Sequence, residues 1–371
     1  MTKSKDFEIF LVAAPGLEDV LCAEVRSKAF KQVKAVPGGV TVKGGWPDVW
    51  RANLWIRGAG RVIANLDSFK VDHLALLEKR SRQVPWADVL RADVPFRVEV
   101  TCKKSRIYHS DAAAERITKA IVEELGAVHS DDAEVVVRAR LEHDICSIGI
   151  DTSGDLLHKR GHKDAVNMAP MRETMASLFL LQCGYVGNET VVDPMCGSGT
   201  FIIEAAEIAA KLNPGRLRKF AFELLANFDP VAWQKMLAAR TGVVPRVRFY
   251  GSDRDAVAVN MSRTNAERAG VGSFADFQQC AIGDLVPPDG APGLVMLNPP
   301  YGSRIGDMKQ LLPLYRSIGQ TLLTRFSGWR VGLVTIEASL ARATELPFLP
   351  TTAPVAHGGL RVTLFQTAAL P

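Results

Sequence analysis

The stretch VVDPMCGSGTFIIEAA spans residues 191–206. Two valines and an aspartate lead into a glycine-rich turn, and an apolar run of helix-forming residues follows. That order predicts a strand, a tight turn and a helix whose first N–H groups face whatever the turn encloses. Gly197 and Gly199 allow the backbone to approach a ligand closely. The dinucleotide fingerprint G-x-G-x-x-G is incomplete, because Ile202 stands where its third glycine belongs. No Gly-Lys-Ser/Thr completes a P-loop either. Asp193, ahead of the turn, suits a ligand with a cationic amino-acid portion better than a pyrophosphate.

Downstream, strands and helices alternate. VRFYGSD precedes the helix RDAVAVNMSRTNAERAG, and FADFQQCAIGD, GLVMLNPP, GWRVGLVTI and GLRVTLFQT supply further strands. Alternation of this kind predicts an α/β, doubly wound parallel sheet with its ligands at the carboxyl ends of the strands. Each strand end then has a candidate task. Asp253 in GSD is placed to accept both hydroxyls of a ribose, with Asp255 as the cap of the next helix. The third strand is expected to end in IGD, where Asp284 can accept a hydrogen bond from an exocyclic adenine amine beside Ala281 and Ile282. The fourth ends in Asn298, Pro299, Pro300 and Tyr301, followed by a glycine-rich turn.

That last group has a specific chemical use. An amine conjugated to a ring is a poor nucleophile because its lone pair is delocalised. Asn298 Oδ1 and the Pro299 carbonyl can accept its hydrogens, favour the developing sp³ amine and aim the lone pair at an electrophile. The prolines hold the carbonyls in place, and Tyr301 offers a face on which an extruded base stacks. The electrophile expected from an adenosine with an amino-acid tail is a sulfonium methyl. No metal is required, because the amine loses its proton after transfer.

Toward the amino terminus, FEIFLVAA, GGVTVKG, NLWIRGAGRVIANL, FRVEVTCK, EVVVRARLEH and ICSIGIDTSG read as strands. GLEDVLCAEVRSKAF and DAAAERITKAIVEELG read as helices, the second with Asp111 as expected N-cap and Gly126 as stop. The result is one α+β unit or two small ones. A basic, polar segment, LLHKRGHKDAVNMAPMRET, marks a domain boundary near 155–168.

Composition fits this picture. Of 371 residues, 47% are hydrophobic and 23% charged, as in an ordinary globular chain. No apolar run reaches the length of a membrane span. The six cysteines form no CxxC pair, which argues against a zinc site or a disulfide framework and for reduced thiols in the cytoplasm. His158 and His162 stand four apart, but Gly161 lies between them and no third ligand is near, so they are expected to be solvated loop histidines. Cys196 reads as a packing residue. The net charge of +5 is modest. The clusters TCKKSR (101–106) and LHKRGHK (157–163), with the early arginines, favour phosphate contacts.

Taken in order, DPMCGSGT, GSD, IGD and NPPYG resemble the class I S-adenosylmethionine-dependent methyltransferases that modify exocyclic amines. The linker LHKRGHKDAVNMAPMRETMASLFL and PGRLRKFAFE are similar to the THUMP-domain RNA guanine-N2 methyltransferases, which include large-subunit rRNA and tRNA enzymes. AAPGLEDVLCAEV and VPGGVTVKG fit that family's N-terminal region. The resemblance implies a Rossmann-like methyltransferase sheet preceded by an α+β ferredoxin-like and THUMP RNA-binding region. Its divisions would be a ferredoxin-like segment at 1–65, a THUMP domain at 66–155, a linker at 156–170 and the methyltransferase domain at 171–371. It implies S-adenosyl-L-methionine as cofactor. Asp193, Gly197, Ser198, Gly199 and Thr200 would surround its methionine part, Asp253 its ribose and Asp284 its adenine. Arg172 and Glu173 would line the cofactor entrance, and Asn298, Pro299 and Tyr301 would hold the target amine. Lys103, Lys104, Arg106, Lys159, Arg160 and Lys163 become the candidate RNA contacts, with rRNA preferred to tRNA as partner.

Other readings share parts of this pattern. Protein-glutamine methylation uses a similar Asn-Pro-Pro-Tyr site, but the basic N-terminal half suits RNA better; DNA-adenine methylation gives no reason for the THUMP-like region. A non-catalytic RNA-binding protein with a decayed methyltransferase domain would not keep every cofactor and amine position.

Overall fold

The computed structural model describes residues 6–163, 171–239, 242–301 and 308–371. They divide into two compact units. One is drawn from Met1–Ala13, Cys22–Leu157 and Arg218–Ala239, the other from Ala14–Leu21, His158–Leu217 and Arg240–Pro371.

The first unit contains one continuous seven-stranded sheet. Its strands are β1 (Phe7–Val12), β2 (Lys31–Val36), β3 (Gly39–Gly44), β4 (Arg61–Lys70), β5 (Phe96–Lys103), β6 (Val135–Glu142) and β7 (Ile145–Asp151). Their order is β2-β3-β1-β4-β7-β6-β5, antiparallel throughout except for the parallel pair β5–β6. The β4–β7 ladder makes a single sheet of what the sequence left as one unit or two. Between β6 and β7 the turn is His143-Asp144, both with φ positive at 51° and 60°, the backbone of a two-residue hairpin. Asp144 ties it to its surroundings: its N–H donates to Ser105 Oγ, and its Oδ1 accepts the Arg106 N–H.

The helix predicted over DAAAERITKAIVEELG forms at Ser110–Leu125. Gly126 closes it with φ +72°, as expected. The N-cap is His109 rather than Asp111, which lies inside the first turn; the helix begins one residue earlier than the acid.

Residues 218–239 lie in the stretch read from sequence as methyltransferase domain, yet they pack in the first unit. Arg218 donates to the carbonyls of Leu156, Ser153 and Asp155 at 2.8, 3.0 and 2.7 Å. Phe222 stacks on Trp50 and meets Trp233 edge-on, with ring centroids 6.1 and 5.0 Å apart. Such pairs add to the burial of large apolar area.

The second unit carries another seven-stranded sheet: β8 (Val191–Asp193), β9 (Phe249–Asp253), β10 (Ala275–Gln279), β11 (Leu294–Leu297), β12 (Arg330–Thr335), β13 (Val355–His357) and β14 (Leu360–Gln366). The order is β10-β9-β8-β11-β12-β14-β13. The first five are parallel, and β14 enters antiparallel to β12. The chain runs outward from β8 through β9 to β10, then returns to β11 on β8's other side. The switch point, where ligands bind in open sheets of this kind, therefore lies at the ends of β8 and β11. The central strands are buried on both faces, as helices covering both sides of a parallel sheet require. Among the described residues no helix is long and apolar enough to cross a membrane.

Candidate active site

The glycine-rich turn follows β8 and opens helix α6 (Thr200–Ala209). Gly197 and Gly199 have φ of +53° and +82°, values that cost an L side chain energy. A Cβ on Gly199 would also press on Ser262 and Ile203 at 3.2–3.3 Å. The turn is held from outside by helix α8 (Ala256–Arg268). Ser262 Oγ donates to the Gly197 carbonyl (2.9 Å), and Asn265 Nδ2 donates to the Ser198 carbonyl (3.1 Å). Neither clamp was picked out from the sequence. The signal was present: Ala258, Val259, Ser262, Asn265 and Ala266 form the buried stripe of α8, and polar residues in such a stripe need partners.

Asp193 ends β8 and is only 2% exposed. Its Oδ1 accepts the Met195 N–H at 3.0 Å. Burial pushes its carboxyl up to about 8; the Met195 N–H opposes this, and the nearby Asp253 charge reinforces it. A carboxylate this desolvated needs a cation beside it to ionise freely.

Asp253 ends β9. Its Oδ2 accepts the Gly197 N–H (3.1 Å) and its Oδ1 the Asp255 N–H (3.0 Å), so it ties the glycine turn to the second strand. An ionised carboxylate has about four acceptor positions, which leaves two for hydroxyls. Asp255 caps α8 as expected, accepting the Val257 N–H at 2.9 Å. The third position needs a correction. β10 stops at Gln279, and IGD forms a separate 3₁₀ turn, Ile282–Asp284, in which Asp284 is exposed and Ile282 buried. The strand ends where its pairing with β9 ends, at Gln279 opposite Asp253.

At the end of β11, Asn298 Oδ1 is buried and has no hydrogen-bond partner among the described residues. An orphaned buried acceptor costs about 1–3 kcal/mol, so its neighbourhood is built to receive a donor. Tyr301 is half-buried, and burial raises its phenol pKa. It packs against a core that includes Leu297, Leu311, Tyr315 and Leu333. The glycine-rich turn expected after Tyr301 lies outside the described residues.

Arg172 is the exposed N-cap residue of helix α5 (Glu173–Gln182). Glu173 is buried and accepts from Lys163 Nζ at 2.8 Å, and the same ammonium donates to Thr200 Oγ1 at 2.6 Å. Two of the expected site residues are thus joined by a lysine that the sequence assigned to RNA. That assignment is corrected: the Lys163 side chain is 8% exposed. Arg160 is likewise corrected. It is 3% exposed and donates to Glu204 through Nε at 3.1 Å, while Ser177 Oγ donates to the same carboxylate. His162 is not solvated either. It is 3% exposed, burial lowers its pKa, and neither ring nitrogen has a hydrogen-bond partner among the described residues. His158 is held down to about 4 by burial. Lys159 remains on the surface, as do Lys103, Lys104 and Arg106, although Lys103 pairs with Glu142 and Arg106 with Asp72 and Asp144. Residues 164–170 of the expected linker lie outside the described residues. Cys196 is buried with its thiol pKa pushed far up by desolvation, as befits a packing residue.

Comparison with known proteins adds independent findings. The model of the RMKL-like methyltransferase domain family, UPF0020, matches residues 160–352. The RlmL ferredoxin-like domain matches residues 8–63 and the THUMP domain residues 73–151. The ribosomal RNA large subunit methyltransferase K/L of Methylococcus capsulatus is 31% identical over 358 residues, which is 92% of this chain and 48% of that protein. The chain spans about half the length of the curated relatives it matches, 48%, 46% and 50% of three of them. Among solved structures, SMU.472, complexed with SAH, superimposes with a TM-score of 0.88 at 26% identity, covering 99% of both chains. A Listeria monocytogenes protein described as a predicted N6-adenine-specific DNA methylase does so with 0.88 at 29%, covering 99% of this chain and 97% of the other. The UPF0020 match alone takes in more than half of the chain and contains both the glycine turn and the Asn-Pro-Pro-Tyr segment, so this chain belongs to the family of RMKL-like methyltransferase domains.

Proposed function

We propose that the chain transfers a methyl group from S-adenosyl-L-methionine to the exocyclic N2 amine of a guanine in large-subunit ribosomal RNA, in the cytoplasm. The observation that carries this is the unpartnered, buried Asn298 Oδ1, one strand away from the buried Asp193 carboxyl, whose hydrogen-bond partner among the described residues is one N–H and no cation. Both are groups that a donor amine and an amino-acid cation would complete.

The residues fit the cofactor. Asp193 and the 197–200 turn suit its amino-acid end, the free acceptor positions of Asp253 its ribose hydroxyls, and Asp284 with Ile282 its adenine. Arg172 and Glu173 open α5, and Lys163 joins Glu173 to Thr200 of the turn. When bound, the cofactor supplies an electrophilic methyl on a sulfonium. The chain does the rest. Asn298 Oδ1 and the Pro299 carbonyl accept the hydrogens of the target amine and turn its lone pair out of conjugation, and Tyr301 supports the base through its ring face. Because these acceptors are fixed before reaction, they stabilise developing charge without reorganising.

The RNA assignment rests on the THUMP match and on the exposed cations Lys103, Lys104, Arg106 and Lys159. The K/L relatives favour rRNA over tRNA. We place the ferredoxin-like segment at 1–65, the THUMP domain at 66–155, the linker at 156–170 and the methyltransferase domain at 171–371, of which residues 218–239 pack in the first unit.

The test is mass mapping of modified nucleosides from a strain lacking the gene, complemented with wild type or Asn298→Ala. N2-methylguanosine should vanish from large-subunit rRNA and return with wild type only, the variant losing about 10²–10³-fold in turnover. Loss from tRNA would move the substrate, and loss of N6-methyladenine from DNA would overturn the guanine assignment.

A further inference from the structure

Helix α9 (Met308–Arg325) meets the diproline segment through Tyr315, its fully buried tyrosine. Its Oη lies 3.3 Å from the Pro300 carbonyl oxygen and 3.2 Å from Thr335 Oγ1. One phenolic proton serves one acceptor, so the tyrosine donates to the carbonyl and accepts the threonine hydroxyl. Thr335, fully buried at the end of β12, in turn accepts the Glu337 N–H at 3.3 Å. Three hydrogen bonds thus run from the end of the fifth parallel strand to the backbone between Pro300 and Tyr301.

The torsions explain what this chain of bonds fixes. Proline rings hold φ at residues 299 and 300. Between the Pro299 carbonyl and Tyr301 the one soft backbone torsion is therefore ψ of Pro300, and the direction of the Pro300 carbonyl sets it. Pro300 has no N–H with which to brace itself, so the brace comes from elsewhere. The helix that brings it is itself closely seated. At Gly319, one turn beyond Tyr315, a Cβ would overlap the Thr344 carbonyl oxygen, so only glycine lets α9 lie at this depth. A buried hydroxyl with two partners is also costly to misplace.

We propose, on the methyl-transfer reading above, that Tyr315 is a positioning residue of the amine site, with Thr335 as its support. It sets the Pro300–Tyr301 peptide so that the Tyr301 ring stands at the right distance from Asn298 Oδ1 and the Pro299 carbonyl. Tyr315 touches neither cofactor nor amine. Its phenol, pushed up to about 12 by burial, stays protonated and remains a donor at every working pH.

Pro300–Tyr301 is the one Pro-Tyr pair in the sequence. Labelling the full chain with 1-¹³C-proline and ¹⁵N-tyrosine therefore isolates a single Pro300 carbonyl signal. In Tyr315→Phe that signal should lose the downfield displacement of a hydrogen-bonded carbonyl, and Thr335→Val should move it the same way. Turnover on deproteinised large-subunit rRNA should fall about 3- to 10-fold in either variant, the worth of one neutral hydrogen bond. KM for RNA and affinity for S-adenosylhomocysteine should stay near wild type, melting temperature should fall by about 3–10 °C at most, and Thr335→Ser should restore turnover. The double variant should be no slower than the worse single one, because both substitutions cut the same line of bonds. An unmoved carbonyl signal overturns the geometry. A moved signal with unchanged turnover overturns the positioning role. Should wild type methylate no rRNA, the proposed substrate fails instead, and the carbonyl signal still decides whether Tyr315 holds the segment.

Discussion

Asp193→Asn is the most telling single substitution, because it separates the cost of the site from its use. The buried carboxyl titrates at about 8 rather than at its ordinary 3.8. Between those values the folded chain holds a proton that the unfolded chain has released. The stability contribution is therefore fully present below about pH 4, falls as pH rises and is lost once pH passes about 8. A pKa raised by one corresponds to about 1.4 kcal/mol, so the ceiling is on the order of 5 kcal/mol; relaxation and polarisation around a buried site bring the expected value to about 1–3 kcal/mol. Asparagine keeps the shape and the acceptor for the Met195 N–H but carries no charge. By scanning calorimetry without cofactor, the variant should melt about 3–10 °C above wild type at pH 8, with a smaller gap at pH 5. Affinity for S-adenosylhomocysteine should move the opposite way. If the amino group of the ligand meets this carboxylate, wild-type affinity rises with pH up to about 8 and binding at pH 7 releases a proton. The variant should bind weakly and without that pH dependence. A variant that is less stable than wild type at every pH, or one that binds the ligand as tightly, would refute the assignment of Asp193 to a cation.

The other assignments can be separated just as directly. Asp253→Ala removes both the free acceptor positions and the tie to the Gly197 N–H; calorimetry should show cofactor affinity about tenfold lower or worse, and unchanged affinity removes the ribose role. Lys103→Gln and Lys104→Gln should each reduce the slope of log affinity for RNA against log salt by about 1; an unaltered slope places the RNA path elsewhere. Arg160→Ala should do the reverse, leaving the salt slope as it is while costing about 3–5 kcal/mol in chemical denaturation, because Glu204 is left charged in the interior. A shallower slope with intact stability would return Arg160 to the RNA surface.

The parts of this molecule that could be read from sequence share a physical property: their cause is local. A glycine that must take positive φ, a proline that removes an N–H and an acid at the end of an apolar run each act within a few residues. The glycine turn, the strand-end positions of Asp253 and Asn298, the Asp255 cap and the alternation of strand and helix were legible for that reason. The misreadings concern partners distant in the chain. LHKRGHK has the composition of a solvated basic loop, and nothing within it reveals that Arg160 is matched by Glu204, 44 residues on. The aromatic residues of 218–239 lie within the stretch matched to the methyltransferase domain, but their packing against Trp50 was not legible, because that partner lies far back in the chain. Tyr315 was invisible for the same reason, since a tyrosine on the apolar face of a helix looks like core until its hydroxyl is found against Pro300. A basic cluster is therefore evidence for phosphate only after the buried acids have been matched to their cations. Here that matching leaves Lys103, Lys104, Arg106 and Lys159 on the surface and gives Arg160 to Glu204 and Lys163 to Glu173 in the interior.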